Sequence, residues 1–235
     1  YDIGRFGMYW YLSVAALIIT VGWLNAFNFM DGINGITAFS GLVTLGTFSV
    51  LNHAHRFIFP FFGEGLFPDW HPFYPSGLIG TLFMGLLVFA FFNARKKAVV
   101  FAGDVGSVSL AFLQSWMMLN LMIMTREAWW ILMFSVYGTD TVITILIRLR
   151  QRENILEAHR KHLYQLLTNE KKVPHLTVSL FYALLQGMIN LALIVLVFNG
   201  LMRMWMVPVL LIVLGFLYLV YRNRITRKPN LSVSI

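Results

Sequence analysis

Cysteine is absent from the 235 residues, which excludes disulfides and thiolate metal sites. Charge is scarce too. Asp, Glu, Lys and Arg make up 12% of the chain, against ~25% in an ordinary soluble domain. Nothing charged lies between Gly7 and Met30, or between Gly32 and His55. No two acidic residues are adjacent anywhere, and there is no internal repeat or low-complexity tract. The first residue is Tyr1 rather than Met, with no basic leader and cleavage site behind it, so residues upstream of Tyr1 are expected. What is abundant is apolar: hydrophobic residues form 58% of the chain and mean hydropathy is +0.71. A soluble fold is thereby excluded, and a single integral membrane domain over 1–235 is expected. The net charge of +8 would suit nucleic acid. In a chain this apolar the positive-inside bias of membrane proteins accounts for it better, and no nucleic-acid partner is expected.

Uncharged runs long enough to span ~30 Å of hydrocarbon predict an all-α, polytopic transmembrane helix bundle. Seven spans are expected near 8–25, 35–52, 77–92, 107–124, 128–147, 178–198 and 204–221. The segment 52–76, rich in Pro, Gly and aromatics, reads as a loop with interfacial aromatic anchors. Placing the loop near 25–34 in the cytoplasm and alternating puts Arg95, Lys96, Lys97, Arg148, Arg150, Arg152, Arg160, Lys161, Lys171, Lys172, Arg222, Arg224, Arg227 and Lys228 inside. Only Arg5, Arg56, Arg126 and Arg203 remain outside. This bias predicts an N-terminus outside, a C-terminus in the cytoplasm and every polar cluster on the cytoplasmic face.

Four clusters carry candidate chemistry. In Asn25-Ala26-Phe27-Asn28-Phe29-Met30-Asp31-Gly32-Ile33-Asn34-Gly35, a carboxylate and three amides interrupt two apolar runs. One Asp at mid-bilayer costs ~2.5–3.5 kcal/mol, so Asp31 is expected at a membrane face or in a cavity, with Gly32 and Gly35 letting a ligand approach. The second cluster is Asn93-Ala94-Arg95-Lys96-Lys97 leading to Gly103-Asp104-Val105-Gly106-Ser107. Asp104 at a helix start suits either a Mg²⁺ held with substrate phosphates or a plain N-cap. Gly103 and Gly106 would let a diphosphate lie against the backbone. In the third, His159 and His162 would share one helix face at i, i+3, flanked by Arg160 and Lys161. That suits an anionic ligand or proton transfer, or simply an amphipathic surface helix. Asp140 is the fourth: an acid inside a spanning helix, functional or water-exposed at a helix end. His53, His55, His71 and His175 read as solvated loop histidines.

The motifs Asn25-x-x-Asn28-x-x-Asp31-Gly32-x-Asn34-Gly35, Asn93 with Gly103-Asp104-Val105-Gly106-Ser107, and His159-Arg160-x-His162-x-Tyr164 together resemble those of the polyprenyl-phosphate N-acetylhexosamine-1-phosphate transferases, glycosyl transferase family 4. The resemblance implies transfer of a sugar 1-phosphate from a UDP-amino sugar to undecaprenyl phosphate in a bacterial cytoplasmic membrane, releasing UMP, with Mg²⁺ or Mn²⁺ as cofactor and a homodimer as the oligomer to expect. By position Asp104 would hold the metal, and Asn25, Asn28, Asp31, Asn34, Asn93 and Gly103 would bind substrate. His159 and His162, with Arg160 and Lys161, would bind phosphate or assist transfer. The form of the histidine motif is more like the branch that starts O-antigen or capsule.

Departures from the pattern are Asn34 in place of a second Asp, and the lack of the family's early Asp-Asp pair. The resemblance therefore implies the C-terminal part of a ten- or eleven-span enzyme, inactive by itself. Other classes are a transporter of an anionic solute, which would place its site at mid-membrane with repeat symmetry, and a non-catalytic remnant of the family.

Overall fold

The computed structural model describes residues 10–63, 70–154 and 160–226, which are helical with no strand among them. In chain order they form α1 (Trp10–Phe29), α2 (Ile36–Asn52), the single turns α3 (Ala54–Phe57) and α4 (Phe59–Phe62), α5 (Ser76–Asn93) and α6 (Gly103–Thr125). A 3₁₀ segment (Ala128–Phe134) runs into α7 (Ser135–Arg150), followed by α8 (Leu163–Asn169), α9 (His175–Phe198) and α10 (Met206–Thr226). Five stretches are long and apolar enough to cross a membrane: α5, α6, Ala128–Arg150, α9 and α10. Ser13–Phe29 of α1 and the whole of α2 are shorter apolar helices. The seven expected runs are thus seven apolar helices.

Their ends follow local chemistry. Pro75 and Pro174 immediately precede α5 and α9, where a missing N–H is not needed. Gly35 precedes α2 at φ 84°, a left-handed conformation that side chains with a Cβ rarely adopt. α1 packs along α6, and α2 lies between α5 and α9. Phe27, Met30, Ile36, Leu45, Phe48 and Trp130 are fully buried at the centre. The Trp23 ring stacks on Phe134 at 3.7 Å between centroids, and its Nε1 donates to Gln114 Oε1 at 3.2 Å.

Three expectations about local structure are corrected. First, α1 continues to Phe29, so Asn25 and Asn28 lie on its last turns and not in a loop. Second, 128–147 is not one uniform helix. The 3₁₀ stretch leaves backbone groups without α-helical partners, and Gln186 of α9 takes two of them, accepting from Val136 N–H at 2.9 Å and donating to Leu132 O at 3.0 Å. Irregular backbone at membrane depth is tolerated where protein covers it in this way. Third, the described part of 52–76 is not all loop: it forms the turns α3 and α4, and although Phe57 and Phe61 are exposed, other aromatics turn inward. Trp70 and Tyr74 are buried. Asn52 accepts from Phe73 and Tyr74 N–H and donates to Tyr74 O, while Trp70 Nε1 donates to Leu51 O. One buried amide folds the segment back onto the core.

The C-terminal ends of α1, α5, α7 and α10 and the N-terminal ends of α2, α6 and α9 meet at one end of the bundle. Hydrogen bonds described below join these ends. Arg95, Lys96, Lys97, Arg148, Arg150, Arg152, Arg160, Lys161, Lys171, Lys172, Arg222 and Arg224 lie at or next to those helix ends, whereas Arg56, Arg126 and Arg203 lie at the opposite ends. Arg227 and Lys228 fall outside the described residues.

Candidate functional site

The turn after α1 is the centre of the site. Asp31 Oδ1 accepts from Thr37 Oγ1 at 2.5 Å, and the Gly103 N–H also donates to its carboxylate. Burial pushes the Asp31 carboxyl above the usual carboxylate range, with nearby Asp104 adding to the rise and the Thr37 and Gly103 hydrogen bonds opposing it. Asn28 of α1 reaches across to α6. Its Nδ2 donates to Asp104 Oδ1 and to Ser107 Oγ, both at 3.0 Å. Asp104 is exposed. It is not an N-cap, because α6 begins at Gly103 after Ala102, four residues earlier than expected, and Asp104 sits within the first turn. A Cβ placed on Gly103 would meet nothing within 4 Å, so the backbone there lies open.

Two expected binding residues serve as struts. Asn34 donates to Arg95 O at 2.8 Å and Lys96 O at 3.3 Å, and its own carbonyl accepts from Ser179 Oγ at 2.8 Å. Asn93 is buried, accepts from Gly35 N–H and donates to Val100 O, both at 2.8 Å. Together they clamp the 31–35 turn to the loop between α5 and α6. Gly32 lines a polar cavity and packs against Tyr164. A Cβ there would stand 2.2 Å from Tyr164 Oη, which donates to Phe29 O at 2.9 Å; the glycine makes room for that tyrosine. Burial raises the Tyr164 hydroxyl far above its ordinary pKa, so it remains a donor. Asn25 stays on the exposed side of α1, bonding its own helix at Val21 O.

The histidine region differs from expectation. His159 lies outside the described residues. His162 is extended, immediately before α8, rather than on a helix face with its neighbours. Its side chain is 1% exposed, with Nδ1 3.1 Å from Asp140 Oδ1. Asp140 is itself 1% exposed, which overturns the water-exposed helix-end reading. Besides His162 it accepts from Leu163 N–H at 3.1 Å, Thr144 Oγ1 at 3.2 Å and Tyr182 Oη at 2.8 Å. Such saturation is what lets a carboxylate lie buried in a low-dielectric interior. From α10, Arg222 donates to Lys161 O and to Tyr218 Oη. Lys161 pairs with Glu153, holding that carboxyl below its ordinary range, and Glu153 also receives Arg148. Arg160 is exposed.

Among the described residues no group of three or more His, Cys, Asp or Glu could hold a metal ion. A lone exposed carboxylate such as Asp104 fits a cation whose other ligands are water and substrate phosphate. Residues that sequence reasoning passed over are Thr37, Tyr182 and Arg222, whose signal is visible only in three dimensions, and His175. The last was set aside as a loop histidine, yet it opens α9 beside Gly32 and Arg160 on a shared cavity.

Seven apolar helices with their polar ends joined on one face define a polytopic membrane protein. The sequence pattern of Glycosyl transferase family 4 matches residues 3–122, and the chain belongs to that family. It is similar to the phospho-N-acetylmuramoyl-pentapeptide-transferase of Streptococcus equi subsp. zooepidemicus, 31% identical over 149 residues, covering 61% of this chain and 38% of the relative. The enzyme of the same name from Streptococcus pyogenes serotype M6 is 34% identical over 131 residues, 55% of this chain and 33% of the relative. The chain thus spans less than two fifths of the length of these curated relatives.

Proposed function

We propose that this chain forms the donor- and metal-binding part of a transferase that moves a sugar 1-phosphate from a UDP-N-acetylhexosamine to undecaprenyl phosphate, releasing UMP. The observation that carries the reading is the pair of bonds from Asn28 to Asp104 and Ser107, which join two sequence motifs lying 76 and 79 residues apart in the chain. Beside them lies the open backbone of Gly103.

Asp104 would hold Mg²⁺ together with the donor's phosphates, and the cation would neutralise charge on the transferring phosphoryl group. Asn28 orients the Asp104 carboxylate and keeps one of its oxygens occupied. Asp31 fixes the start of α6 through Gly103. Arg160 and Lys161 supply positive charge from the adjoining loop. His162 acts by seating that loop on Asp140, since its ring is buried. The cations gathered at this end of the bundle support a cytoplasmic placement of the site. The gathering of Asp31, Asp104 and the cations at one end of the bundle favours the transferase over a transporter.

The test uses the full-length protein in detergent with radiolabelled UDP-N-acetylglucosamine, undecaprenyl phosphate and Mg²⁺. Label is expected to enter the lipid phase. Absence of transfer from every UDP-amino sugar tried would refute the reading.

A further inference from the structure

The last helix, α10, lies beyond residue 122, where the match to the family pattern ends. Of its residues only Tyr218 and Arg222 are buried, at 5% and 8% exposure. They stand four positions apart and so share one face. A guanidinium is costly to bury unless it is hydrogen-bonded, and apolar side chains would join a membrane helix to its neighbours at least as well. The face that α10 turns inward is therefore polar for what it holds.

Arg222 Nη1 donates to the main-chain oxygen of Lys161 and to Tyr218 Oη, the latter at 3.2 Å. Tyr218 Oη and Thr144 Oγ1 lie 2.8 Å apart, and Thr144 Oγ1 donates to Asp140 Oδ1 at 3.2 Å. A hydroxyl has one proton to give. Thr144 gives its proton to Asp140, so Tyr218 donates to Thr144, and donation runs one way from Arg222 to the carboxylate. Asp140 in turn accepts from Leu163 N–H at 3.1 Å and lies 3.1 Å from His162 Nδ1. The circuit closes through the backbone from Lys161 to Leu163. It ties α7, α10 and that backbone into one ring, in which each bond polarises the next.

Two grips thus hold the segment. Asp140 fastens His162 and Leu163, and Arg222 fastens Lys161, the residue next to Arg160. The Lys161 side chain also bonds Glu153 and Gln151, but its flexible four-carbon stem constrains the backbone less than a bond to the residue's own carbonyl does.

Resting on the transferase reading, we infer that Arg222 is a positioning residue: α10 latches the 160–162 segment through the Lys161 carbonyl, so that Arg160 and Lys161 stand ready for the donor before it binds. When a site is ready for only a fraction of the time, apparent affinity falls by that fraction while the bound complex turns over as before. Loss of the latch therefore raises KM for the donor and spares kcat.

Arg222→Met keeps much of the stem and removes the donors. The assay uses the full-length protein in nanodiscs with the UDP-amino sugar that supports transfer. KM for that donor should rise about fivefold or more, with kcat and KM for undecaprenyl phosphate within about twofold of the wild type. Arg222→Lys can still donate to the Lys161 oxygen and should recover part of the rise. Tyr218→Phe removes one hydroxyl with little change of shape and should give a smaller rise; if Arg222→Met does not elute as a monodisperse species, these two variants carry the test. Hydrogen exchange in peptides spanning 160–169 of the ligand-free protein should quicken in Arg222→Met and slow again in Arg222→Lys. A merely structural arginine would lower the melting midpoint and the amount of active enzyme, so that apparent kcat fell while KM held. That pattern, or unchanged exchange over 160–169, would overturn the inference and leave the transferase reading intact. Quickened exchange in a protein whose wild type transfers no UDP-amino sugar would refute the transferase reading and leave the latch standing.

Discussion

Asp104 and Asp140 lie in the same end of the bundle and have opposite surroundings. Asp140 is 1% exposed and saturated by donors from His162, Leu163, Thr144 and Tyr182. Asp104 is exposed and, among the described residues, takes a single side-chain donor, Asn28. A saturated acid holds structure together, because its lone pairs are already occupied. An open acid keeps acceptor capacity for water, a cation or a substrate. Asp31 stands between them, with Thr37 and Gly103 as donors and partial burial. The three carboxylates form a series from scaffold to site.

Substitution tests the series at each point. The largest effect is expected at Asp140. Asp140→Ala strands the Tyr182 hydroxyl, the Leu163 N–H and the His162 ring, and each buried donor left without a partner costs about 1–3 kcal/mol. Thermal unfolding in detergent should show a sharply lower midpoint; an unchanged midpoint would end the distinction between the two acids. Asp104→Asn should do the converse. Transfer should fall on the order of 10²–10³-fold with the melting midpoint preserved, and retained transfer would show that Asp104 is not in the site.

The smallest effect belongs to Asp31. Its carboxyl is raised by burial, so the folded state holds a proton where the unfolded chain has released it, and stability falls as pH rises through that interval above the ordinary carboxylate range. Asp31→Asn removes the titration. Its midpoint at pH 7 should equal or exceed the wild type by less than about 1 kcal/mol, and its pH dependence should be flatter. A steeper dependence would contradict the raised pKa.

How much of this could be read from the residues alone varies with the range of the interaction. The apolar runs made the seven helices plain, since each is a local property of 17 to 24 residues. Asn28, Asp31 and Asp104 stood out because polar groups are rare in so apolar a chain. The companionship of Gly32 with Tyr164 was not legible, because that side chain comes from a segment far along the sequence. Asp140 was ambiguous for the same reason, its donors lying 4, 22, 23 and 42 residues away. His162 was placed on a helix by its spacing from His159. Local pattern could not reveal that the chain there extends inward to reach an acid in α7.

The Asp140 centre also bears on biogenesis. Ribosomes deliver α7 before the segments that carry His162, Leu163 and Tyr182, so a nascent chain holds this acid while three of its four donors are still unsynthesised. In hydrocarbon such a carboxylate is worth ~2.5–3.5 kcal/mol against insertion. The Asp140 centre therefore closes late, as α9 arrives, and a chain stopped before α9 carries this acid without its Tyr182 donor.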